Sequence, residues 1–355
     1  MMLLRAPVLL ASAALLAACD RAGVETPAFL LDQCERVALI DSSAGTAIVG
    51  AEDLDIDRIG GRLFVSAYDR RAAEKAVHDG ADEVPEGGLY AVKIADIATP
   101  SPSVAAHPLV DRNQVAGGLR PHGISYDQAS GDLFFINRRY VRDGSRWRLA
   151  PQIVTLSPSG DLKKAAEVHC AANDILALGE RTFITLDHAG CGWRGGAEDL
   201  FGWKGARLVD ENGDVIARNL NFANGVAALS SDVIFVAGTR ERALYSIGVT
   251  SSPPRVEVAT RLGAAPDNLT LSGDGRIIAA AHPSLLAIGL QRRLGAGRSP
   301  SRVIEIDPAT GGLRLLFDDP NGTLIAAATV AVVADDILIL GSVVDPGLVI
   351  CRGAS

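Results

Sequence analysis

Aromatic side chains make up only 5% of the 355-residue chain, and positive charge is in deficit: 34 lysines and arginines stand against 42 aspartates and glutamates, a formal net charge of −8 at pH 7. Both features argue against a nucleic-acid partner. Phosphate backbones are held by a surplus of lysine and arginine, and unpaired bases by aromatic platforms. Long helical patterns are missing too, since past residue 19 no long stretch carries the apolar period of an extended amphipathic helix. What the chain has in quantity is 37 glycines and 48% hydrophobic residues, a balance that suits many short buried strands separated by tight turns.

Residues 1–19 read as a targeting segment. Arg5 precedes the apolar run PVLLASAALLAAC, which is too short to span a bilayer comfortably, and Leu16-Ala17-Ala18-Cys19 has the form of a bacterial lipoprotein processing box. Cleavage there makes Cys19 the lipidated first residue. The chain is therefore expected to be exported and tethered to a membrane through Cys19, with residues 20–355 forming one domain in the periplasm or outside the cell.

Within that domain six segments begin in register: AEDLDID at 51, RPHGISY at 120, AANDILA at 171, FANGVAA at 222, APDNLTL at 265 and IAAATVA at 326. Each is followed by a turn and an alternating apolar strand, such as GGRLFVSAY, GDLFFIN and SDVIFVA. Units of this kind stacked about an axis make a propeller, and their aligned positions meet at its centre. The expected fold is all-β, a six-bladed β-propeller closed by its N- and C-terminal strands. Cys34 lies in the first mature strand, CERVALI, and Cys351 in the last, GLVICR, so a Cys34–Cys351 disulfide is expected at the seam of the ring. Cys170 and Cys191 flank the third unit's inner strands, where they either pair or stay free. The segment LLAIGLQRRLGAG reads as a short amphipathic helix that either packs plainly over the propeller or walls the substrate entrance.

At the aligned position stand Glu52, His122, Asn173, Asn224 and Asp267, with Ala328 blank in the sixth unit. Together with Asn268 the acidic and amide members offer only hard oxygen donors, the set that suits calcium rather than zinc. One residue further along, Asp53 and Asp174 point the other way, because strand side chains alternate. They suit a second, structural calcium, with the Ile124 carbonyl as a further ligand. His122 is the imidazole of the ring and is placed to activate a water. His188 and His282 end second strands and are expected to rim the same mouth as pocket residues.

In order and spacing these motifs resemble the serum paraoxonase/arylesterase family over nearly the whole mature chain: Glu52-Asp53, Pro121-His122-Gly123-Ile124-Ser125, Asn173-Asp174-Ile175, Phe222-Ala223-Asn224-Gly225, Asp267-Asn268-Leu269, His282-Pro283 and the terminal cysteines. The resemblance implies a calcium-dependent six-bladed lactonase. It assigns the catalytic ion to Glu52, Asn173, Asn224, Asp267 and Asn268, the structural ion to Asp53, Asp174 and the Ile124 carbonyl, and water activation to His122. Asn173 and Asn224 would also steady the reacting oxygens. The implied substrates are lactones and aryl esters. One position departs: where that family carries a second histidine supporting the first, Phe135-Ile136-Asn137 is followed here by Arg138, which cannot accept a proton and lowers the pKa of a nearby imidazole. Two other expectations compete: a sugar-lactone hydrolase of the gluconolactonase kind, and a lipid-anchored propeller whose calcium is purely structural.

Overall fold

The computed structural model describes residues 25–353; the leader and the Cys19 box lie outside the described residues. These fold into 26 strands and four short α-helices. Inner strands start at residues 51, 121, 172, 223, 265 and 328, within two residues of the repeat starts read from the sequence. Blades two to five are four-stranded antiparallel sheets, each continuous in the chain. Blade two, for example, runs Pro121–Tyr126, Leu133–Asn137, Gln152–Leu156 and Leu162–Glu167 from the axis outward. The six inner strands lie each against the next and close a ring, the first (Ala51–Asp57) meeting the last (Ala328–Ala334).

Closure follows the expected plan. The N-terminal strand Cys34–Asp41 completes the blade built from Ala328–Ala334, Ile337–Ser342 and Leu348–Arg352, pairing antiparallel with the last of these. Cys34 stands opposite Cys351, and the two are disulfide-bonded with their Cα atoms 3.9 Å apart. The same strand also pairs in parallel with Ser103–Pro108, the outer strand of blade one, so the seam joins both blades into one eight-stranded sheet. Cys170 and Cys191, left open by the sequence, are bonded as well.

Between blades, the apolar faces of the alternating strands meet in layers around Phe135, Phe183 and Phe317, all fully buried. Each such ring contributes about 2–3 kcal/mol of burial. Near the axis this filling stops. Inner strands of neighbouring blades do not form a ladder with one another, and polar side chains bridge them instead.

Helices occupy the insertions. α1 (Arg70–Asp79) lies in the long insertion of blade one, and α2 (Ile94–Ala98) follows that blade's third strand. α3 (Trp193–Phe201) lies in blade three and α4 (Leu285–Leu294) in blade five, the latter where the sequence indicated a helix. α1 starts on Asp69, whose carboxylate accepts the Ala72 amide, and ends on Gly80 with φ 68°. None of the described helices is long and apolar enough to cross a membrane.

Candidate metal centre and catalytic site

Every inner strand slips register against its second strand at the same level. The shifts fall between Ala51 and Asp53, Pro121 and Ile124, Ala172 and Ile175, Ala223 and Val226, Pro266 and Leu269, and Ala328 and Val330. A bulge leaves its extra residue unpaired and re-aims the side chain, which is why such irregularities collect at functional sites. Here the residues released are Glu52, His122, Asn173, Asn224 and Asp267, all buried.

The sixth position is filled by Thr329. It was expected to be blank, with Ala328; the bulge of the last blade begins at Ala328 and releases Thr329. The Thr329 hydroxyl donates to the Glu52 carbonyl at 2.7 Å, and the Asn268 amide donates to the same oxygen at 3.1 Å. Both therefore secure the backbone that carries Glu52. Two glycines allow inner strands to approach at this level. A Cβ on Gly123 would stand 2.6 Å from the Asp174 Cα, and one on Gly225 2.6 Å from the Asn268 Cα, distances that side chains do not tolerate.

In the upper layer, each asparagine is held by its nitrogen. Asn173 Nδ2 donates to Asp187 at 3.3 Å, and Asn224 Nδ2 donates to Asp267. Their oxygens are buried without a hydrogen-bond partner, and Glu52 Oε2 has only the His122 ring nitrogen, 2.7 Å away, beside it. Buried oxygens are seldom left unsatisfied. Partnerless amide oxygens beside carboxylates fit a hard cation such as calcium. The residues present thus pass the test for the implied ion by the chemistry of their donors.

The lower layer behaves differently. Asp53 accepts the Ile124 amide at 2.7 Å, Asp174 accepts the Val226 amide at 2.8 Å, and Asp55 accepts the Tyr126 amide at 2.6 Å. Each carboxylate reaches to the next blade and satisfies an inner-strand N–H that has no ladder partner. Burial, joined by the charges of Asp174 and Glu52, pushes the Asp53 carboxyl well above the ordinary range, and burial does the same to Asp174. Asp55 is pushed up to about 6, chiefly by burial. A bound cation is the usual relief for such crowding. Asp55 was not singled out in the sequence, although it lies two residues beyond Asp53 and therefore on the same face.

Two carboxylate–imidazole pairs border the upper layer. His122 Nδ1 is 2.7 Å from Glu52, and His282 Nε2 is 2.7 Å from Asp267. Burial holds the His122 imidazole below its ordinary value; Glu52 pulls it back up, and Arg138 and Arg70 push it further down. The net direction favours the neutral imidazole. With Glu52 favouring the proton on Nδ1, the Nε2 lone pair stands free and unpartnered. His282, expected on the rim, is instead buried behind Asp267, at 2% exposure.

His188 does line the mouth but is not a base. It lies between Asp187 at 2.7 Å and Asp199 at 2.8 Å, and although burial opposes its charge, these carboxylates push it up to about 10. As an imidazolium it neutralises Asp187, which in turn holds Asn173. Because the folded value lies above the ordinary 6.5, this stabilisation is complete below about pH 6.5 and is lost as the pH rises towards 10. His188→Gln should accordingly lower Tm by several degrees at about pH 6, with the gap to wild type largely closed near pH 9.5. A gap that stays constant across this range in thermal melts would contradict the assignment.

The mouth itself is a cleft of about 730 Å³ that adjoins the upper layer through Asp187, the partner of Asn173, and is lined by Arg70 from α1, Arg138, Asp187, His188, the apolar Trp147 and Leu149, and residues of α3 that include Trp193. A second cavity, of about 520 Å³, follows the inner strands from Asp53, Asp55 and Asp174 towards their C-terminal ends, at the other end of the axis. His169, Cys170 and Cys191 bring ligand atoms within 4.8 Å of one another. The two sulfurs are bonded to each other, however, so His169 is left as a lone donor.

The comparisons agree with this architecture. A profile of the arylesterase family matches residues 206–351, under half of the chain; that stretch holds Asn224, Asp267, Asn268 and His282 but not Glu52, His122 or Asn173. No curated protein matches the sequence. Among solved structures, the fold is similar to a structural-genomics target assigned as a gluconolactonase, with TM-score 0.51 and 13% identity over 91% of this chain and 94% of the other. It is also similar to a structural-genomics protein of unknown function from Bacteroides thetaiotaomicron, with TM-score 0.50 and 7% identity over 90% and 75%. A gluconolactonase from Xanthomonas campestris aligns with TM-score 0.45 and 12% identity over 89% and 97%. At these identities the first two likenesses establish the fold, a six-bladed propeller.

Proposed function

We propose that the chain is a calcium-dependent hydrolase of small lactones or esters, sugar-type lactones foremost. The observation that carries this reading is geometric: the buried His122 imidazole, its Nε2 without a partner, lies on the same ring of bulges as the partnerless oxygens of Asn173 and Asn224. Glu52, Asn173, Asn224 and Asp267, with Asn268 adjoining, would hold the catalytic ion, and Asp53 and Asp174 the structural one. When bound, calcium supplies a Lewis acid for a carbonyl oxygen and for the charge that grows on it. His122 takes the proton of the attacking water at Nε2, while Glu52 steadies the ring through Nδ1. No second imidazole relays that proton onward, because Arg138 stands where the paraoxonase-like pattern has histidine. Instead Arg138 helps to keep His122 neutral and ready to accept.

The arginines of the cleft, Arg138 and Arg70 foremost, offer hydrogen bonds to a hydroxyl-rich sugar-type lactone, and the assignment of one structural neighbour as a gluconolactonase points the same way. The two disulfides suit the exported compartment expected from the leader. The test is turnover, with calcium present, of D-glucono-δ-lactone, a long-chain N-acyl-homoserine lactone and phenyl acetate. The sugar lactone should lead in kcat/KM by about tenfold or more, since its hydroxyls can meet the unpartnered Arg138 guanidinium, which an alkyl chain would leave unmet. Preference for the long-chain lactone would overturn the sugar-lactone reading, and no turnover of any of the three would overturn the hydrolase.

A further inference from the structure

The residue that departs from the paraoxonase-like pattern has its own feature. Arg138 is only 9% exposed, and its Nε has no hydrogen-bond partner. Among the described residues no carboxylate lies within ion-pair distance of it, although its charge is felt at Glu52, Glu74, Asp187 and His122. A buried guanidinium without a counter-ion is costly. Arg138 also lines the 730 Å³ cleft, so its unmet hydrogen-bonding capacity borders the space a ligand would fill.

Its neighbours add to the excess. Arg70 lines the same cleft, and Arg292 of α4 is close enough that the charge of Arg70, more than burial, lowers its pKa. A single carboxylate, Glu74, serves both, at 3.0 Å from Arg70 and 3.6 Å from Arg292. Arg293 of α4 adds to the cationic lining, as do Arg146 and Arg148 on the exposed extra hairpin of blade two. Of the three acidic residues that also line it, Asp187 and Asp199 are engaged by His188, and Asp199 by Arg240 as well. Asp143 lies on the extra hairpin of blade two, opposite Arg146, and offsets that arginine. The far cavity on the same axis has the opposite character, with Asp53, Asp55, Asp127 and Asp174 against Arg58. In a chain of net charge −8, this mouth is where positive charge has been gathered.

We propose that this cleft is a subsite for an oxyanion carried by the substrate, a carboxylate or a phosphate, gripped by Arg138 with Arg70 beside it. The inference deepens the lactonase reading and rests on it for the reacting end of the substrate. Guanidinium forks pair with such groups bidentately, and the pairing is strongest where water is excluded. Arg138 is then a specificity-determining residue in the place where the paraoxonase-like pattern has a supporting histidine.

The experiment compares three lactones in the calcium-loaded protein: neutral D-glucono-δ-lactone, the carboxylate-bearing D-glucaro-1,4-lactone and the 6-phosphate of gluconolactone. Wild type should favour at least one anionic substrate over the neutral one in kcat/KM by on the order of tenfold or more, and the preferred member tells carboxylate from phosphate. Arg138→Gln should remove most of that ratio, and Arg138→Lys should restore part of it. Equal kcat/KM for charged and neutral lactones in wild type, or a ratio that Arg138→Gln leaves intact, overturns the subsite. A binding arm keeps the two readings separable. Millimolar D-glucarate or inorganic phosphate should raise the Tm of wild type by several degrees, D-sorbitol should not, and Arg138→Gln should lose the shift. If no lactone is turned over but the Arg138-dependent shift appears, the hydrolase falls and the anion site stands. If neither anion gives the shift, or Arg138→Gln keeps it, the anion site falls.

Discussion

Removal of divalent cations by a chelator is expected to abolish lactone hydrolysis and to lower Tm by roughly 5–10 °C, both reversed by calcium. The activity loss follows from the upper layer, where Asn173 and Asn224 present oxygens with no other partner. An activated carbonyl and a stabilised oxyanion are worth several powers of ten in rate, so kcat/KM should fall by about 10³-fold or more. The stability loss follows from the lower layer. Without an ion, Asp53 and Asp174 are buried carboxyls pushed well above their ordinary pKa, each beside other acids. A ligand present at a thousandfold excess over its Kd stabilises by about 4 kcal/mol, which sets the expected shift in a domain of this size. Calorimetric or fluorescence melts with and without chelator measure it. An unchanged Tm together with unchanged turnover would remove both ion sites from the account.

His122→Gln should lower kcat/KM by about 10²–10⁴-fold, the usual contribution of a positioned general base. The loss should fall on kcat, because glutamine still fills the space and can donate to Glu52, whereas it cannot take a proton at the position of Nε2. Tm should move little. His282→Gln is the control: its imidazole faces Asp267 rather than the free oxygens, so its effect should be smaller. A His122→Gln enzyme with full kcat/KM would transfer the proton abstraction to another group, His282 being the nearest alternative on geometry.

Much of this site was legible because a repeat protein writes its axis into the chain six times. Glu52, His122, Asn173, Asn224 and Asp267 could be aligned without a structure, and the seam cysteines marked where the ring closes. Ala328 failed for a local reason. In the last unit the bulge starts later, and a one-residue slip in a strand exchanges one face for the other, so Thr329 is the true counterpart. The supporting groups were harder to see, because they come from insertions and second strands that carry no repeat. Asp187 stands next to His188 in ITLDHAG and could have been read as its partner. Asp199, Arg70 and Arg292 are brought to the mouth only by α1, α3 and α4, whose positions over the axis no periodicity encodes. Arg138 was visible as a departure, but its lack of a partner is a property of the packed structure alone.

The central claim is that oxygens released by the inner-strand bulges hold a cation required for hydrolysis. Calorimetric titration of calcium into chelator-stripped protein tests it most directly, with D-glucono-δ-lactone turnover followed in the same samples. The account predicts saturable binding in wild type that restores turnover in step with occupancy. It also predicts that the Asn173→Ala/Asn224→Ala double variant loses the activity-linked site while retaining binding at Asp53 and Asp174. Full turnover in stripped protein, or calcium binding and turnover undiminished in the double variant, would contradict it.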